Sequence, residues 1–222
     1  MCGRFTSTAT PEELMRRFGV IITENLRPRW NVAPSQSATV IIRDGLRTAA
    51  ISAKWGLRHV GGNKTMLINA RMETANEKPT FSRAFLHSRC IVVASGWYEW
   101  SAPKTPWHVK LCNGGMLSMA GLFFRLGAQS RFVILTSEAD QKLKKIHHRQ
   151  PLVLGAGDEE NWLYGTADQA EALCKIASAS WFDWYRVSPD VGKVALDHPN
   201  LITPLDGDSR LAAEPDQSDL FD

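Results

Sequence analysis

The 222-residue chain has no apolar run near the roughly eighteen residues that a membrane-crossing helix requires. Its first residues, MCGRFTSTATPEELMRRF, lack the apolar stretch of a secretory leader. These absences predict a cytoplasmic protein with no membrane partner. Cysteine is scarce and scattered: Cys2, Cys90, Cys112 and Cys174 form no C-x-x-C pair. That argues against a zinc site or a disulfide framework, and no metal or other cofactor is expected. Internal repeats are also missing. With 44% hydrophobic residues the chain can bury a full core, and a single, monomeric domain is the expectation.

The formal charge is only +3, but it is uneven. From Asp206 onward six acids face a single base, Arg210, so the residues before them carry +8. A basic body suits a polyanion, and it equally suits an ordinary solvated surface. The composition divides the chain into a folded domain over 1–205 and an acidic tail over 206–222 with the signature of disorder.

Strand signals dominate the body. Thr10-Pro11-Glu12-Glu13 reads as an N-cap, a proline at the first helical position and an acidic first turn, so a short helix should run to Gly19. ATVIIRDGLRTAAIS predicts a hairpin turning at Asp44-Gly45. RCIVVASGWYEW begins as a buried strand. PWHVKLCNGGMLSMAGLFF predicts a second hairpin turning at Asn113-Gly114-Gly115, and SRFVILTS a strand running into a helix over EADQKLKKIHH. PLVLG reads as a short strand, and two short helices follow near DEENWLYG and ADQAEALCKIAS. Trp162, Trp181 and Trp184 in this late region read as packing residues. HPNLITPL is the last expected ordered element. The fold class is α+β, with a mostly antiparallel, partly barrel-like sheet flanked by helices.

Five polar stretches do not fit a packing-only account: MCGRF, WNVAPSQ, LINARMET, SGWYEW and KIHHRQP. Each has an ordinary explanation alone. Asn31 can make a turn, Asn69 can cap a loop, Glu99 can sit at a strand end, and His147 can sit at a helix end. Cys2 is different. Removal of Met1, favoured by the small side chain that follows it, leaves an amine and a thiol on one residue.

Taken together, MCGRFT, NVAPSQ, WGL, INARMET, GWYEW, ILTSEAD and IHHRQPLVL resemble, in order and spacing, the SRAP family of abasic site processing proteins. The resemblance runs from Cys2 to about Pro204. It implies a basic cleft for single-stranded DNA and abasic sites as the target. An abasic site opens to an aldehyde. The α-amine, with an ordinary pKa of about 7.7–8.0, adds to it as a Schiff base, and the thiol closes a thiazolidine. By the same resemblance Asn69 holds the nucleophile and the sugar, Glu99 moves protons at the reaction centre, and His147 handles protons on the deoxyribose. Trp97 and Trp100 are expected to desolvate Glu99 and raise its pKa. Arg4 and Arg71 are the expected phosphate ligands, with Arg149 a weaker one. Asn31, Pro34, Trp100 and Thr136 are expected to shape the cleft and contact nucleotides.

The chain departs from the family pattern in two places. RHVGGNK follows WGL where relatives have a proline and a tryptophan-containing loop, which leaves contact with flanking duplex open. His148 and Gln150 replace an aspartate and a methionine, and loss of that carboxylate predicts a lower His147 pKa. Two rival readings stay open: a thiol peptidase or amidase using Cys2 as an N-terminal nucleophile, and a plain single-strand binder that does not need Cys2. In the tail, Gln217, Leu220 and Phe221 fit Q-x-x-L-F, resembling the peptide that docks repair proteins on the sliding clamp.

Overall fold

The computed structural model describes residues 2–22, 26–58 and 66–205. The 59–65 stretch and the tail, with Gln217, Leu220 and Phe221, lie outside the described residues.

In chain order, β1 (Arg4–Ser7), α1 (Pro11–Phe18), β2 (Ile21–Ile22), β3 (Arg29–Val32), β4 (Ser37–Asp44) and β5 (Arg47–Trp55) come first. The short strands β6 (Leu57–Arg58), β7 (Met66–Leu67) and β8 (Asn69–Arg71) follow, then α2 (Ser82–His87). Next come β9 (Arg89–Ala94), β10 (Gly96–Ser101), β11 (Thr105–Leu111), β12 (Leu117–Leu126), β13 (Gln129–Glu138) and β14 (Arg149–Pro151). The chain finishes with α3 (Glu159–Tyr164), α4 (Ala167–Ala172) and β15 (Phe182–Arg186).

These strands build two main layers. One sheet has the order β15-β11-β10-β1-β3. The larger runs β14-β13-β12-β9-β4-β5-β2, and β5 also pairs with β13 in parallel, Phe132 against Trp55, which curls β13, β12, β9, β4 and β5 into a closed ring. The expected α+β class and the partly barrel-like sheet are both met. Strand β9 explains its own unbroken apolar run, because both of its faces are covered. Cys90, Val92 and Ala94 join a core that also takes Phe5, Trp97 and Phe182 from the smaller sheet. Ile91 and Val93 face a second core under the helices, with Leu14, Phe85 and Trp162.

The helix signals near the start hold in detail. Thr10 and Glu13 form a reciprocal capping box, Pro11 opens α1, and Gly19 closes it at φ 59. The first hairpin also forms as expected, with Asp44 opposite Arg47. Trp162 and Trp184 are buried, but Trp181 is 41% exposed, so it is not the packing residue its neighbours predicted.

Two local expectations fail. Asn113-Gly114-Gly115 turns the chain, but β11 and β12 do not pair. β11 is already held by β10 and β15, and β12 by β9 and β13, so the segment crosses between sheets. A turn signal fixes where the chain bends and says nothing about which strands meet. The helix expected over EADQKLKKIHH is a single 3-10 turn, Leu143–Lys145. Strand β13 runs on to Glu138, and the chain must return at Arg149 to pair with that same residue. The Asp140 carboxylate takes the Lys142 N–H and the Gln150 amide oxygen takes the Asp140 N–H, which diverts the backbone from a helical ladder.

Candidate active site

Cys2 stands two residues before Arg4, the first paired residue of β1. β1 lies between β3 and β10, with Arg4 opposite Tyr98 and Phe5 opposite Trp97. Continuing that register sets Glu99 against Gly3, directly beside the cysteine. Cys2 is fully buried, and its Sγ lies 3.9 Å from the Arg4 carbonyl. Burial first, and the Glu99 charge second, push the thiol well above its ordinary range, so it rests as S–H.

Asn69 reaches the same point from the other sheet. β8 pairs with β13, Ile134 against Asn69 and Thr136 against Arg71. The Asn69 amide Nδ2 donates to the Cys2 carbonyl at 2.8 Å. Its Oδ1 is buried and has no partner among the described residues, an acceptor aimed at whatever enters. Ala70 is buried between them, so Asn69 and exposed Arg71 project from the same side of the strand.

Glu99 is 6% exposed. Burial raises its carboxyl from the ordinary 4.5 to about 7, while the amino-terminal charge and the Trp100 backbone pull the other way. It shares a small cleft with Trp97, Leu143, Ile146 and His147. The Nδ1 of His147 accepts the Arg149 N–H at 3.0 Å, so the neutral ring carries its proton on Nε2. Burial, and then the amino-terminal and His148 charges, lower the ring to about 4. The direction matches the sequence expectation, but burial leads rather than a missing carboxylate. His148 stacks on it with centroids 4.2 Å apart. A cavity of about 650 Å³ between α1 and α3, lined by Arg17, Phe18, Glu159 and Tyr164, holds none of these groups. Chemistry, and not volume, marks the site.

Four expected DNA contacts sit inside the protein. Arg4 is 9% exposed, and its Nη1 donates to Asn31 Oδ1 and to the Val191 carbonyl, each at 2.8 Å. Asn31 is fully buried, and its Nδ2 spans the carbonyls of Val191, Lys193 and Leu196. It ties β3 to the 191–197 segment and has no surface to offer a nucleotide. Thr136 is fully buried beside Ala70. Arg149 is committed to Glu73 by two hydrogen bonds, at 2.7 and 2.9 Å. A buried guanidinium needs such partners, and that need removes it from the surface. Arg71, Pro34 and Trp100 remain accessible. Pro34 sits in a turn closed by the Gln36 N–H on the Ala33 carbonyl, with Ser35 at φ 71. Trp100 is half-buried against Tyr98 and Tyr185.

The sequence reading missed three supporting residues. Glu73 lies within INARMET, where nothing local marks it as the partner of Arg149. Asp197 accepts the backbone N–H groups of Trp30 and Asn31 and pairs with Arg29, holding β3 in place. His108 is buried behind β10 between Tyr185 and Thr6, and burial lowers it to about 3. Gly96 makes room for it: a Cβ there would meet His108 Nε2 at 2.4 Å. The alternation in PWHVKL groups His108 with Lys110, opposite Trp107, Val109 and Leu111, so the sequence pattern pointed this histidine outward.

Comparison with known proteins identifies the family. The family model described as SOS response associated peptidase (SRAP) matches residues 1–194. Abasic site processing protein YoaM of Bacillus subtilis is 33% identical over 207 residues, 85% of this chain and 91% of the relative. Abasic site processing protein YedK of Escherichia coli is 32% identical over 222 residues, 92% of this chain and 100% of the relative. A solved structure from Bacteroides thetaiotaomicron superposes with a TM-score of 0.81 at 24% identity, covering 92% of this chain and 100% of that one, and speaks for the fold. The chain belongs to the SRAP family.

Proposed function

We propose that this protein recognises abasic sites in single-stranded DNA and captures them covalently through Cys2 once Met1 has been removed. The observation that carries the reading is the convergence on Cys2: its carbonyl is held by Asn69, and its thiol feels the charge of a Glu99 poised near pH 7. The names of the relatives point the same way.

The order of steps follows from the protonation states. The thiol is held as S–H, so the freed amine acts first. It attacks the aldehyde carbon of the opened sugar, a C–N bond forms, and water leaves to give the Schiff base. Glu99, near its midpoint at neutral pH, takes the ammonium proton and returns one to the departing oxygen. The thiol then adds across C=N. A C–S bond forms, the thiol proton ends on nitrogen, and the ring is a thiazolidine. His147 offers a neutral Nε2–H to a sugar oxygen. The unpartnered Asn69 Oδ1 accepts an N–H or O–H from the intermediate. Reversal runs the same steps backward with Glu99 as the acid. Arg71, exposed beside Asn69, holds a flanking phosphate, and Trp100 offers part of its ring to a base.

A thiol peptidase would need a ready thiolate, and burial works against one here. The tail adds a separate proposal: Gln217, Leu220 and Phe221, outside the described residues, dock on a sliding clamp and bring the domain to single-stranded template. The central test is the intact mass of the protein before and after incubation with an abasic oligonucleotide. Loss of Met1 and a heat-stable adduct one water lighter than its components are expected. Cys2→Ser should lose the durable adduct. An equally durable adduct from Cys2→Ala would overturn the mechanism.

A further inference from the structure

The Arg149 side chain crosses over strand β13. Its Nη1 and Nη2 meet the two carboxylate oxygens of Glu73 at 2.7 and 2.9 Å, and Nη2 also donates to the Thr136 carbonyl and to Thr136 Oγ1. Thr136 in turn donates to the Ala70 carbonyl. The two ends of this clip belong to different parts of the chain. Glu73 follows β8, the strand that presents Asn69 and Arg71. Arg149 opens β14, immediately after the turn that presents His147. The strand between them pairs with both. The lever to His147 is short, because the Arg149 N–H itself is the donor to His147 Nδ1.

The Arg149 side chain is 7% exposed and that of Glu73 is 39% exposed. A guanidinium buried to that degree needs acceptors for its donors and a balance for its charge, and Glu73 supplies both to Arg149 through two hydrogen bonds. Among the described residues, Glu73 is the acid in contact with it. The Arg149 hydrogen bonds hold the Glu73 carboxyl below its usual range, so that carboxylate is charged in the neutral region. Without Glu73, the guanidinium is a buried charge with no counter-charge, and it moves toward solvent. That movement draws the backbone at 147–149 away from β13 and breaks the N–H contact that selects the His147 tautomer.

We infer that Glu73, acting through Arg149, is a positioning residue that holds the His147 ring in its Nε2–H form and in register with Asn69. The inference rests on His147 acting at the captured sugar, as proposed above. Neither Glu73 nor the Arg149 side chain touches the reacting atoms in this scheme. Their work is to fix the gap between the strand that carries the amide and the turn that carries the imidazole.

The test reads the histidine directly, in the full-length protein and without DNA. Long-range ¹H–¹⁵N spectra of labelled protein report the tautomer and the protonation midpoint of His147. The wild type should show one tautomer, Nε2–H, and a midpoint near 4. Glu73→Ala should show mixed tautomers, because the N–H contact that occupies Nδ1 is lost. Glu73→Gln keeps the shape and one acceptor, should fall between the two, and carries the test if the alanine variant does not fold. Capture of abasic oligonucleotide by Glu73→Ala should slow by about tenfold, the scale of a small misplacement of a reacting group. A merely structural ion pair would lower thermal stability and leave the His147 signals where they were, and that result overturns the inference. A wild type with the expected spectra that never captures abasic DNA supports the positioning and overturns the functional reading instead.

Discussion

Glu99→Gln should make the protein more stable and less active, and the gain should depend on pH. Glu99 is 6% exposed, and its carboxyl is raised from 4.5 to about 7 in the folded chain. A raised carboxyl means that the fold favours the protonated form. Its contribution is fully present below the unfolded value of 4.5 and is lost as pH rises through 7. At roughly 1.4 kcal/mol per pH unit, holding the charged form costs the fold about 3 kcal/mol at pH 8. Glutamine keeps the shape and an oxygen acceptor and carries no charge. Urea unfolding of wild type and variant, in steps from pH 4 to pH 8.5, measures the difference. The curves should nearly coincide at pH 4 and separate by up to about 3 kcal/mol at pH 8, a melting-temperature gap of about 6–12 °C for a domain of this size. Binding to intact single strands should barely change, while capture slows. A gap that is the same at pH 4 and pH 8, or a glutamine variant that is less stable at pH 8, would refute the burial argument.

Two further outcomes test the DNA and clamp contacts. Arg71→Ala should weaken binding to single-stranded DNA about equally for all sequences and reduce the slope of log affinity against log salt by about 1; an unchanged slope would remove Arg71 from the phosphate path. A labelled peptide of the last ten residues should bind the cognate clamp in the micromolar range and lose binding on Leu220→Ala and Phe221→Ala, and binding indifferent to those changes would end the clamp proposal.

Local chemistry was legible in the sequence wherever one short stretch sets its own geometry. The capping box at Thr10, the Asp44-Gly45 hairpin and the buried β9 run all formed as read. What depends on distant partners was not legible. The Asn113-Gly114-Gly115 turn is real, but strand pairing is decided by neighbours far along the chain. The helix over 138–148 had reasonable propensity, and the need to pair Arg149 with Glu138 overrode it. The same limit explains the site. Cys2, Asn69, Glu99 and His147 were all chosen by motif, and the structure brings them to one place from both sheets. The arginines were harder. Nothing in MCGRF or IHHRQP distinguishes an arginine that faces DNA from one that ties the protein to itself. Arg4 and Arg149 are of the second kind because Asn31, Val191 and Glu73 wait for them across the fold.

The roles of the two titrating groups are separated by where each sits. The sequence reading gave both Glu99 and His147 proton-transfer work, from ordinary values near 4 and 6.5. Burial moves them past each other, Glu99 up to about 7 and His147 down to about 4. Burial always disfavours the charged form, so the same physical cause raises the acid and lowers the base. At neutral pH His147 is then uncharged, with its Nδ1 lone pair occupied by the Arg149 N–H. It cannot accept a proton readily at that atom, and it holds none to spare as an acid. What it keeps is a directed Nε2–H. Glu99 alone is close enough to its midpoint to pass a proton in either direction. In the capture proposed above, the amine must lose a proton before it attacks and the leaving oxygen must gain one. That scheme assigns both transfers to Glu99, with His147 holding the oxygen and Asn69 holding Cys2.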